Sequence, residues 1–259
     1  MDPRVPAWSP SLACRLADAV RPILRGYYRQ ELLIDGKPDQ SPVTRADRES
    51  EAALRSILSR EVPDHGIIGE EQGSEKSEAD YVWIIDPLDG TRAFVSGKPQ
   101  FGCLIALAHK GQPIVGVIDM PILEERWVGV LGVGTTLNGA PQRTRHAVEL
   151  SEALMGCTSL EMFSEPDSQA TFEKIRQQVR DCNFGGDCYN YGVLASGFLD
   201  IVVETSLKPW DYAALVPIIL AAGGAITDWQ GQPLGLESKG DVVASSDAAL
   251  HRKVLPFLQ

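Results

Sequence analysis

The chain has 259 residues, of which 44% are hydrophobic and 23% are charged, and its formal net charge is −11. This length allows one large domain or two of ordinary size, with a substantial buried core. The negative charge argues against nucleic acid and anionic membranes as partners, because both need basic patches on a protein. It still allows a phosphate-bearing substrate, since bound divalent cations would reverse the sign of the local field.

Cysteine and histidine usage argues against zinc and disulfides. The five cysteines include no CxxC pair, and the four histidines are scattered, so a zinc site is not expected. No apolar run approaches the roughly 20 residues that span a bilayer. Residues 1–10 lack the basic start and the apolar middle of a signal peptide. We therefore expect reduced thiols and a cytoplasmic location.

The amino-terminal residues predict two helices joined by an exposed loop. Apolar spacing predicts a helix over residues 11–34, and turn-forming residues predict a loop over 35–42. Thr44 is a good N-cap for a second helix, in which Asp47 takes the third position. From this segment alone, Asp47 is interpreted as a capping residue.

A short apolar strand predicted at residues 67–69 ends in two adjacent acids, Glu70 and Glu71. Successive side chains of a strand point to opposite faces, so only one of the two acids can face a shared site. A solvated acidic turn is the ordinary alternative. The repetition of the same arrangement at Asp86, after another buried strand, favours a site.

Residues 81–94 read YVWIIDPLDGTRAF and begin as a strand covered on both faces. The proline and glycine after Asp86 break the strand, so its ladder is predicted to end there. Asp86 and Asp89 can then converge, with the carbonyl of Leu88 as a third oxygen ligand, and this all-oxygen set suits Mg²⁺. The same residues also fit an ordinary turn in which the aspartates accept from local amides.

The remaining chain predicts an antiparallel meander followed by a second unit. Strands at 103–108, 114–118 and 127–133 precede Asn138-Gly139, a strong hairpin signal. We predict an amino-terminal half at 1–147, with an antiparallel sheet, and a carboxyl-terminal α/β half at 148–259. Asp211 opens an apolar helix, where an acid is often only a cap.

Three segments, Gly69-Glu70-Glu71, Asp86-Pro87-Leu88-Asp89-Gly90-Thr91 and Trp210-Asp211, occur in this order and resemble the signature of the inositol monophosphatase superfamily. The likeness extends from about Thr44 to Asp228. It implies a mixed α/β fold, layered as an α/β/α/β/α sandwich. It also implies a lithium-sensitive, Mg²⁺-dependent phosphatase that forms a homodimer.

The same resemblance implies a set of site residues. The metal ligands would be Glu70, Asp86, the Leu88 carbonyl, Asp89 and Asp211, binding two or three Mg²⁺ ions for which Mn²⁺ can substitute. Asp47 and Thr91 would act with Glu70 on the attacking water, so that capping and catalysis are both open for Asp47. The amides of Gly90 and Thr91 would face phosphate oxygens.

Features outside the shared motifs are similar to the histidinol-phosphate phosphatases of the superfamily. They are the run Thr91-Arg92-Ala93-Phe94 and residues 118–121, 185–191 and 207–212. Histidinol phosphate, an intermediate of histidine biosynthesis, is therefore the predicted substrate. Asp187 and Glu204 would receive its amino group and imidazole, and Arg92 would serve the phosphate or order an acidic neighbour.

Three alternatives stay open. Inositol 1-phosphate or another small phosphomonoester would suit the same superfamily. A haloacid-dehalogenase-type phosphatase uses a similar Asp-x-Asp-Gly-Thr motif on its first strand, whereas about 80 residues precede the motif here. A non-catalytic, metal-stabilised regulator is disfavoured because Glu70, Asp86, Asp89, Thr91 and Asp211 are all present.

Overall fold

The computed structural model describes residues 2–30, 35–36, 42–43, 45–146 and 149–259. Its helices are α1 Ser9–Tyr27, α2 Arg45–Glu61, α3 Thr91–Val95, α4 Pro166–Arg176, α5 Cys188–Ala195, α6 Pro209–Tyr212, α7 Leu215–Ala221 and α8 Ala248–Val254. Its strands are β1 Asp35–Gly36, β2 Pro42–Val43, β3 Gly66–Gly69, β4 Gly73–Glu75, β5 Tyr81–Asp89, β6 Gly102–His109, β7 Gln112–Met120, β8 Glu125–Val130, β9 Gly134–Leu137, β10 Ala140–Gln142, β11 Leu154–Cys157, β12 Asp181–Phe184, β13 Ile201–Glu204, β14 Ala225–Thr227 and β15 Val242–Ser245.

Two large sheets organise the described residues. The first has the strand order β10-β9-β8-β7-β6-β5-β3-β4 and is antiparallel except between β3 and β5, which run parallel. The second has the order β12-β11-β13-β15-β14. In it β11 is parallel to β12 and β13, while β15 is antiparallel to β13 and β14. The parallel pair β3/β5 matters for the site, because two adjacent strands then end at the same edge.

Three apolar cores hold five layers together. The first core lies between the outer face of the first sheet and the two helices that cover it, α1 and α2. The second lies between the inner faces of the two sheets and contains α5, α6 and α7. The third lies between the second sheet and helices α4 and α8. This α/β/α/β/α sandwich is the layered fold that the resemblance predicts, and the prediction is confirmed.

Strand β5 shows why the central strands read as continuous apolar runs. Val82 and Ile84 pack in the middle core, while Trp83 and Ile85 pack in the outer core with α1 and α2. Successive side chains alternate between faces, and both faces are covered. No polar alternation is therefore possible in this strand.

Helix α7 lies unusually close to the first sheet. A side chain at Gly116 of β7 would collide with the backbone of Ala214, and one at Gly129 of β8 would collide with the backbone of Ile218. The absence of both side chains lets the helix backbone approach the strands directly. This contact also fixes α6, which immediately precedes α7 and carries Asp211.

Three local predictions are corrected. The first helix ends at Tyr27, because Tyr28 is extended, and residues 31–34 lie outside the described part. Residues 35–36 pair with 42–43 in a two-stranded sheet, so the predicted loop is partly strand. The ladder of β5 does not end at Asp86: after a register shift it resumes with Asp89 opposite Gly102.

The fold does not test the predicted cap at Thr44 or the predicted division into two halves. Thr44 lies outside the described residues, so its capping role stays a prediction; α2 begins at Arg45, with Asp47 as its third residue. The division at residue 147 also stays a prediction. Within the described residues, none of the helices combines the length and apolar character needed to cross a membrane.

His251 of α8 gives the fold a predicted dependence on pH. Its ring is buried, with Nδ1 3.0 Å from Ser245 Oγ and Nε2 2.9 Å from Thr227 Oγ1. Burial lowers the pKa of His251 to about 4 from an ordinary value of 6.5. The unfolded chain then binds a proton that the folded chain does not, so the free energy of unfolding falls as the pH drops from about 6.5 to about 4.

We expect the wild type to lose about 2 kcal/mol relative to His251→Gln between pH 7.5 and pH 5, because glutamine carries no proton to gain. Urea unfolding of both proteins at the two pH values measures this difference, and effects of other titrating groups cancel between them. Parallel pH curves would show that the imidazole does not titrate with unfolding.

Candidate active site and metal centre

The parallel pair β3/β5 brings the first two acids together. Its register places Gly69 opposite Ile85, so that the following residues, Glu70 and Asp86, lie side by side at the same edge of the sheet. The Glu70 amide donates to the Ile85 carbonyl at 3.3 Å. The sequence pattern of a strand ending in an acid, seen twice, thus corresponds to two neighbouring strands.

The irregular end of β5 orients the next residues. The Leu88 amide donates to Asp86 Oδ1 at 2.9 Å, and the Thr91 hydroxyl donates to the Leu88 carbonyl at 3.0 Å. Gly90 has φ of +80°, a left-handed conformation that favours glycine, and α3 begins at the next residue. The bulge between Asp86 and Asp89 departs from strict alternation, and both carboxylates can therefore face the same side.

Asp211 reaches the same place from the middle layer. It lies in the single turn of α6, where its Oδ2 accepts from the Lys208 amide at 2.7 Å. Carboxylate oxygens of Asp86, Asp89 and Asp211 all lie within 4.8 Å of one another. Three hard anionic oxygens at this separation fit a hard divalent cation such as Mg²⁺.

Burial and like charge dominate the electrostatics of this cluster. Burial, reinforced by the charges of Glu70, Asp89 and Asp211, raises the pKa of Asp86 well above its ordinary value. Burial likewise raises the pKa of Asp211, against the opposing hydrogen bond from Lys208. Burial raises the pKa of Asp89 to about 6, although the thiol and amide of Cys188 oppose it. A bound divalent cation would relieve this repulsion, which supports a metal site at these aspartates.

A cavity of about 50 Å³ adjoins two of the three aspartates, Asp89 and Asp211. Its walls are formed by Asp89, Thr158, Met162, Asp187, Cys188, Tyr191, Glu204, Leu207, Asp211 and Leu215. Among the described residues, the structure therefore gathers four of the predicted site residues at one cavity. Asp47, Glu70, Asp86 and Arg92 are not part of this lining.

Asp187 occupies a strained position beside the cluster. Its φ of +48° and ψ of −135° lie in a region that side chains rarely adopt. Its Oδ2 is 3.2 Å from where a Cβ of Gly90 would lie, so the glycine makes room for the carboxylate. Burial and the charge of Asp89 raise the pKa of Asp187 to about 7, while Arg92 and Lys98 oppose the shift.

Glu204 is buried and already strongly hydrogen-bonded. Its Oε1 accepts from the Thr158 amide at 3.0 Å and from the Thr158 hydroxyl at 2.6 Å, and its Oε2 accepts from the Tyr191 hydroxyl at 2.9 Å. Burial raises the pKa of Glu204 to about 7 despite these bonds. A carboxylate can accept about four hydrogen bonds, so one site remains for a ligand.

Asp47 belongs to α2, which packs on the outer face of the first sheet, and it is not part of the cavity lining. It is fully buried in the first turn of α2, one helical turn before Glu51. Glu51 accepts from the amides of Glu71 at 2.7 Å and Gln72 at 3.0 Å. Residues four apart share a helix face, so the face that carries Asp47 meets the segment directly after Glu70. Its catalytic role stays a prediction.

Sequence reasoning missed several residues of the cavity. The Cys188 amide donates to Asp89 Oδ2 at 2.7 Å, and a backbone donor leaves no signal in residue type. Thr158 directly follows β11, and a polar residue at the end of a buried strand was the available signal. Tyr191 lies within α5, and its hydrogen bond to Glu204 had no local signal.

Known proteins resemble the chain over nearly its whole length. The inositol monophosphatase family matches residues 10–259. The bifunctional phosphatase IMPL2, chloroplastic, of Arabidopsis thaliana is 46% identical over 253 residues, covering 94% of this chain and 73% of that protein. A histidinol-phosphatase of Chlorobaculum parvum is 35% identical over 236 residues, covering 91% of each. The structure of an inositol monophosphatase from Zymomonas mobilis has a TM-score of 0.90 and 46% identity, covering 98% of this chain and 99% of that one.

Removing one charge from the cluster is expected to stabilise the metal-free protein. In excess chelator at pH 8, Asp86→Asn should raise the Tm, because burial and three neighbouring acids disfavour the Asp86 carboxylate. Each kcal/mol of relief corresponds to about 2–4 °C in a chain of this size. Added Mg²⁺ or Mn²⁺ should then raise the Tm of the wild type more than that of the variant.

Asp200→Asn is the matched control for thermal unfolding. Asp200 is also buried, but it pairs with Arg145 and accepts from the Leu154 amide at 2.7 Å. Its replacement should lower the Tm with or without metal. A decrease in Tm for Asp86→Asn in chelator would contradict the prediction. It would mean that the negative charge of Asp86 is already compensated in the metal-free protein.

Proposed function

The chain belongs to the inositol monophosphatase family, and we propose that it is a Mg²⁺-dependent phosphomonoesterase that prefers histidinol phosphate. The observation that carries this proposal is the convergence of Asp86, Asp89 and Asp211 beside a cavity with two further acids. The aspartates suit the metal and phosphate end of a substrate. Asp187 and Glu204 suit a cationic end.

Five donors would hold the metal, namely Glu70, Asp86, the Leu88 carbonyl, Asp89 and Asp211. When bound, Mg²⁺ supplies positive charge for the transferred phosphoryl group and lowers the pKa of water. The Leu88 carbonyl already accepts from Thr91, and its second lone pair remains available. The donor set contains only oxygen, which favours Mg²⁺ or Mn²⁺.

Thr91 and Glu70 would orient the attacking water. Because the Thr91 hydroxyl proton is donated to the Leu88 carbonyl, its oxygen is left as an acceptor for a water O–H. Glu70, on the neighbouring strand end, would accept the other proton, with Asp47 supporting it from α2. The amides of Gly90 and Thr91, at the start of α3, have no partner within the helix and would donate to phosphate oxygens.

The preference for histidinol phosphate rests on charge. Its amino group and imidazole are donors, and Asp187 and Glu204 offer acceptors in the wall of the cavity that also contains Asp211. Arg92 is exposed on α3, where it would meet the phosphate side. The 35% identity to a histidinol-phosphatase supports this assignment. We further propose a cytoplasmic homodimer, inhibited by Li⁺.

Hydrolysis of inositol 1-phosphate is the second candidate function. The resemblance to an inositol monophosphatase at 46% identity favours it. Inositol 1-phosphate presents hydroxyls rather than a cation, so Asp187 would gain no ion pair from it. The two candidate functions therefore differ in whether substrate binding requires the charge of Asp187.

Phosphate release across a panel of esters tests the proposal. We expect histidinol phosphate to be hydrolysed faster than inositol 1-phosphate, fructose 1,6-bisphosphate or adenosine 3′,5′-bisphosphate. Activity should vanish in excess chelator and return with Mg²⁺ or Mn²⁺. Faster turnover of inositol 1-phosphate would favour the second candidate, and no release from any ester would favour a regulator without catalysis.

Asp187→Asn tests the substrate assignment. Loss of a charge-assisted contact of about 1.5 to 3 kcal/mol should lower kcat/KM for histidinol phosphate roughly 10- to 150-fold. The loss should appear mainly in KM if the contact is equal in ground and transition states. Steady-state kinetics with p-nitrophenyl phosphate, which has no cationic end, should change little.

Glu204→Gln provides a contrast. Its carboxylate holds Thr158 and Tyr191, so its replacement should impair both substrates and lower the Tm. If Asp187→Asn also impaired both substrates equally, Asp187 would support the site rather than select the ester.

A further inference from the structure

Asp89 is fixed from two directions by residues outside the proposed ligand set. Its backbone pairs with Gly102 across the β5/β6 ladder. Its Oδ2 accepts from the Cys188 amide at 2.7 Å, at the first residue of α5. The first amides of a helix have no acceptor within it, so this donor is free to serve the carboxylate. The position of the Asp89 carboxylate therefore depends on where α5 begins.

The side chain of Cys188 contacts the first sheet at the point where α5 begins. Cys188 is 3% exposed, and its Sγ lies 3.8 Å from Met120 Sδ on β7. Both sulfur atoms pack against Gly102. We call the contact of Gly102, Met120 and Cys188 the sulfur contact. It joins the start of α5 to the two strands beneath Asp89.

Gly102 is required here for space and not for backbone conformation. Its φ is not positive, unlike that of Gly90. A Cβ at Gly102 would lie 2.8 Å from Met120 Sδ, 2.9 Å from Cys188 Sγ and 3.2 Å from the Asp119 carbonyl. Met120 is fully buried, so the sulfur atoms cannot both move away into solvent. Any added methyl group must displace at least one of them.

We propose that Gly102 and Cys188 are positioning residues for Asp89: the missing side chain at Gly102 leaves space for the Cys188 sulfur, and this packing holds the Cys188 amide against the Asp89 carboxylate. The inference rests on the proposed function, in which Asp89 binds the metal. It adds two residues that would not themselves ligate the metal. Groups that orient metal ligands in this way commonly change metal affinity 10- to 100-fold.

Mn²⁺ binding without substrate is the direct test, followed by electron paramagnetic resonance of the free ion. Gly102→Ala should bind Mn²⁺ about 10- to 100-fold more weakly than the wild type. Cys103→Ala is the matched control, because Cys103 is the next residue of β6 and packs in the outer core. It should lower the Tm while leaving Mn²⁺ affinity unchanged.

Rescue separates positioning from a general packing defect. Cys188→Ala keeps the amide that donates to Asp89, although it removes the thiol that also interacts with Asp89. It vacates the place into which Met120 can move, since the two sulfur atoms are adjacent. The double variant Gly102→Ala/Cys188→Ala should therefore regain about tenfold in Mn²⁺ affinity over Gly102→Ala alone. Wild-type affinity in Gly102→Ala, or no recovery in the double variant, would overturn the proposal.

Cys188→Val is a second route if Gly102→Ala does not fold. It enlarges the same contact from the side of α5, and it should weaken Mn²⁺ binding by a similar factor; unchanged affinity would overturn the proposal. A wild type that binds Mn²⁺ with these dependences but releases no phosphate would refute the proposed function alone. If the protein is an active phosphatase but neither Gly102→Ala nor Cys188→Val alters its Mn²⁺ affinity, this inference alone would be refuted.

Discussion

The mutual repulsion of carboxylates gathered in a buried site constrains the rest of the structure. Asp86, Asp89 and Asp211 would separate if their backbones allowed it, because their oxygens lie within 4.8 Å of one another. Each of the three accepts one backbone amide: from Leu88 at 2.9 Å, from Cys188 at 2.7 Å and from Lys208 at 2.7 Å. One amide orients a carboxylate without cancelling its charge. The arrangement therefore keeps both the geometry and the charge that a divalent cation needs.

Those three amides come from different layers, which explains why the sandwich is needed. Leu88 belongs to the first sheet, while Cys188 and Lys208 belong to segments of the middle layer. The middle layer is held against the sheet by glycine contacts at 102, 116 and 129. A side chain at any of them would collide with the middle layer: with the Cys188 sulfur at position 102, and with the backbone of Ala214 or Ile218 at positions 116 and 129. Packing between layers thus sets distances within the site.

The sequence predicted those parts of the site that depend on local chain chemistry. The turn after Asp86 was predictable, because proline and glycine restrict the backbone at fixed places. Its continuation as a bulged strand was not, since pairing of Asp89 with Gly102 is decided by the partner strand. The Glu204 contacts with Thr158 and Tyr191 join residues 46 and 13 positions apart, and no local pattern encodes them. The layered fold followed from resemblance to a family and not from periodicity.

The two acids proposed for substrate recognition differ in how the fold treats them. Glu204 accepts hydrogen bonds from three donors on Thr158 and Tyr191. Most of its capacity to accept hydrogen bonds is therefore used within the protein. Asp187 has a backbone conformation suited to glycine, which costs on the order of 1 to 3 kcal/mol, and it follows two glycines that have positive φ themselves. A residue without a side chain would relieve that strain, yet an acid stands there, with its carboxylate packed against Gly90 at the metal cluster. Strained backbone conformations cluster at active sites and ligand clamps. We therefore propose that Asp187, more than Glu204, discriminates between a cationic and a neutral substrate.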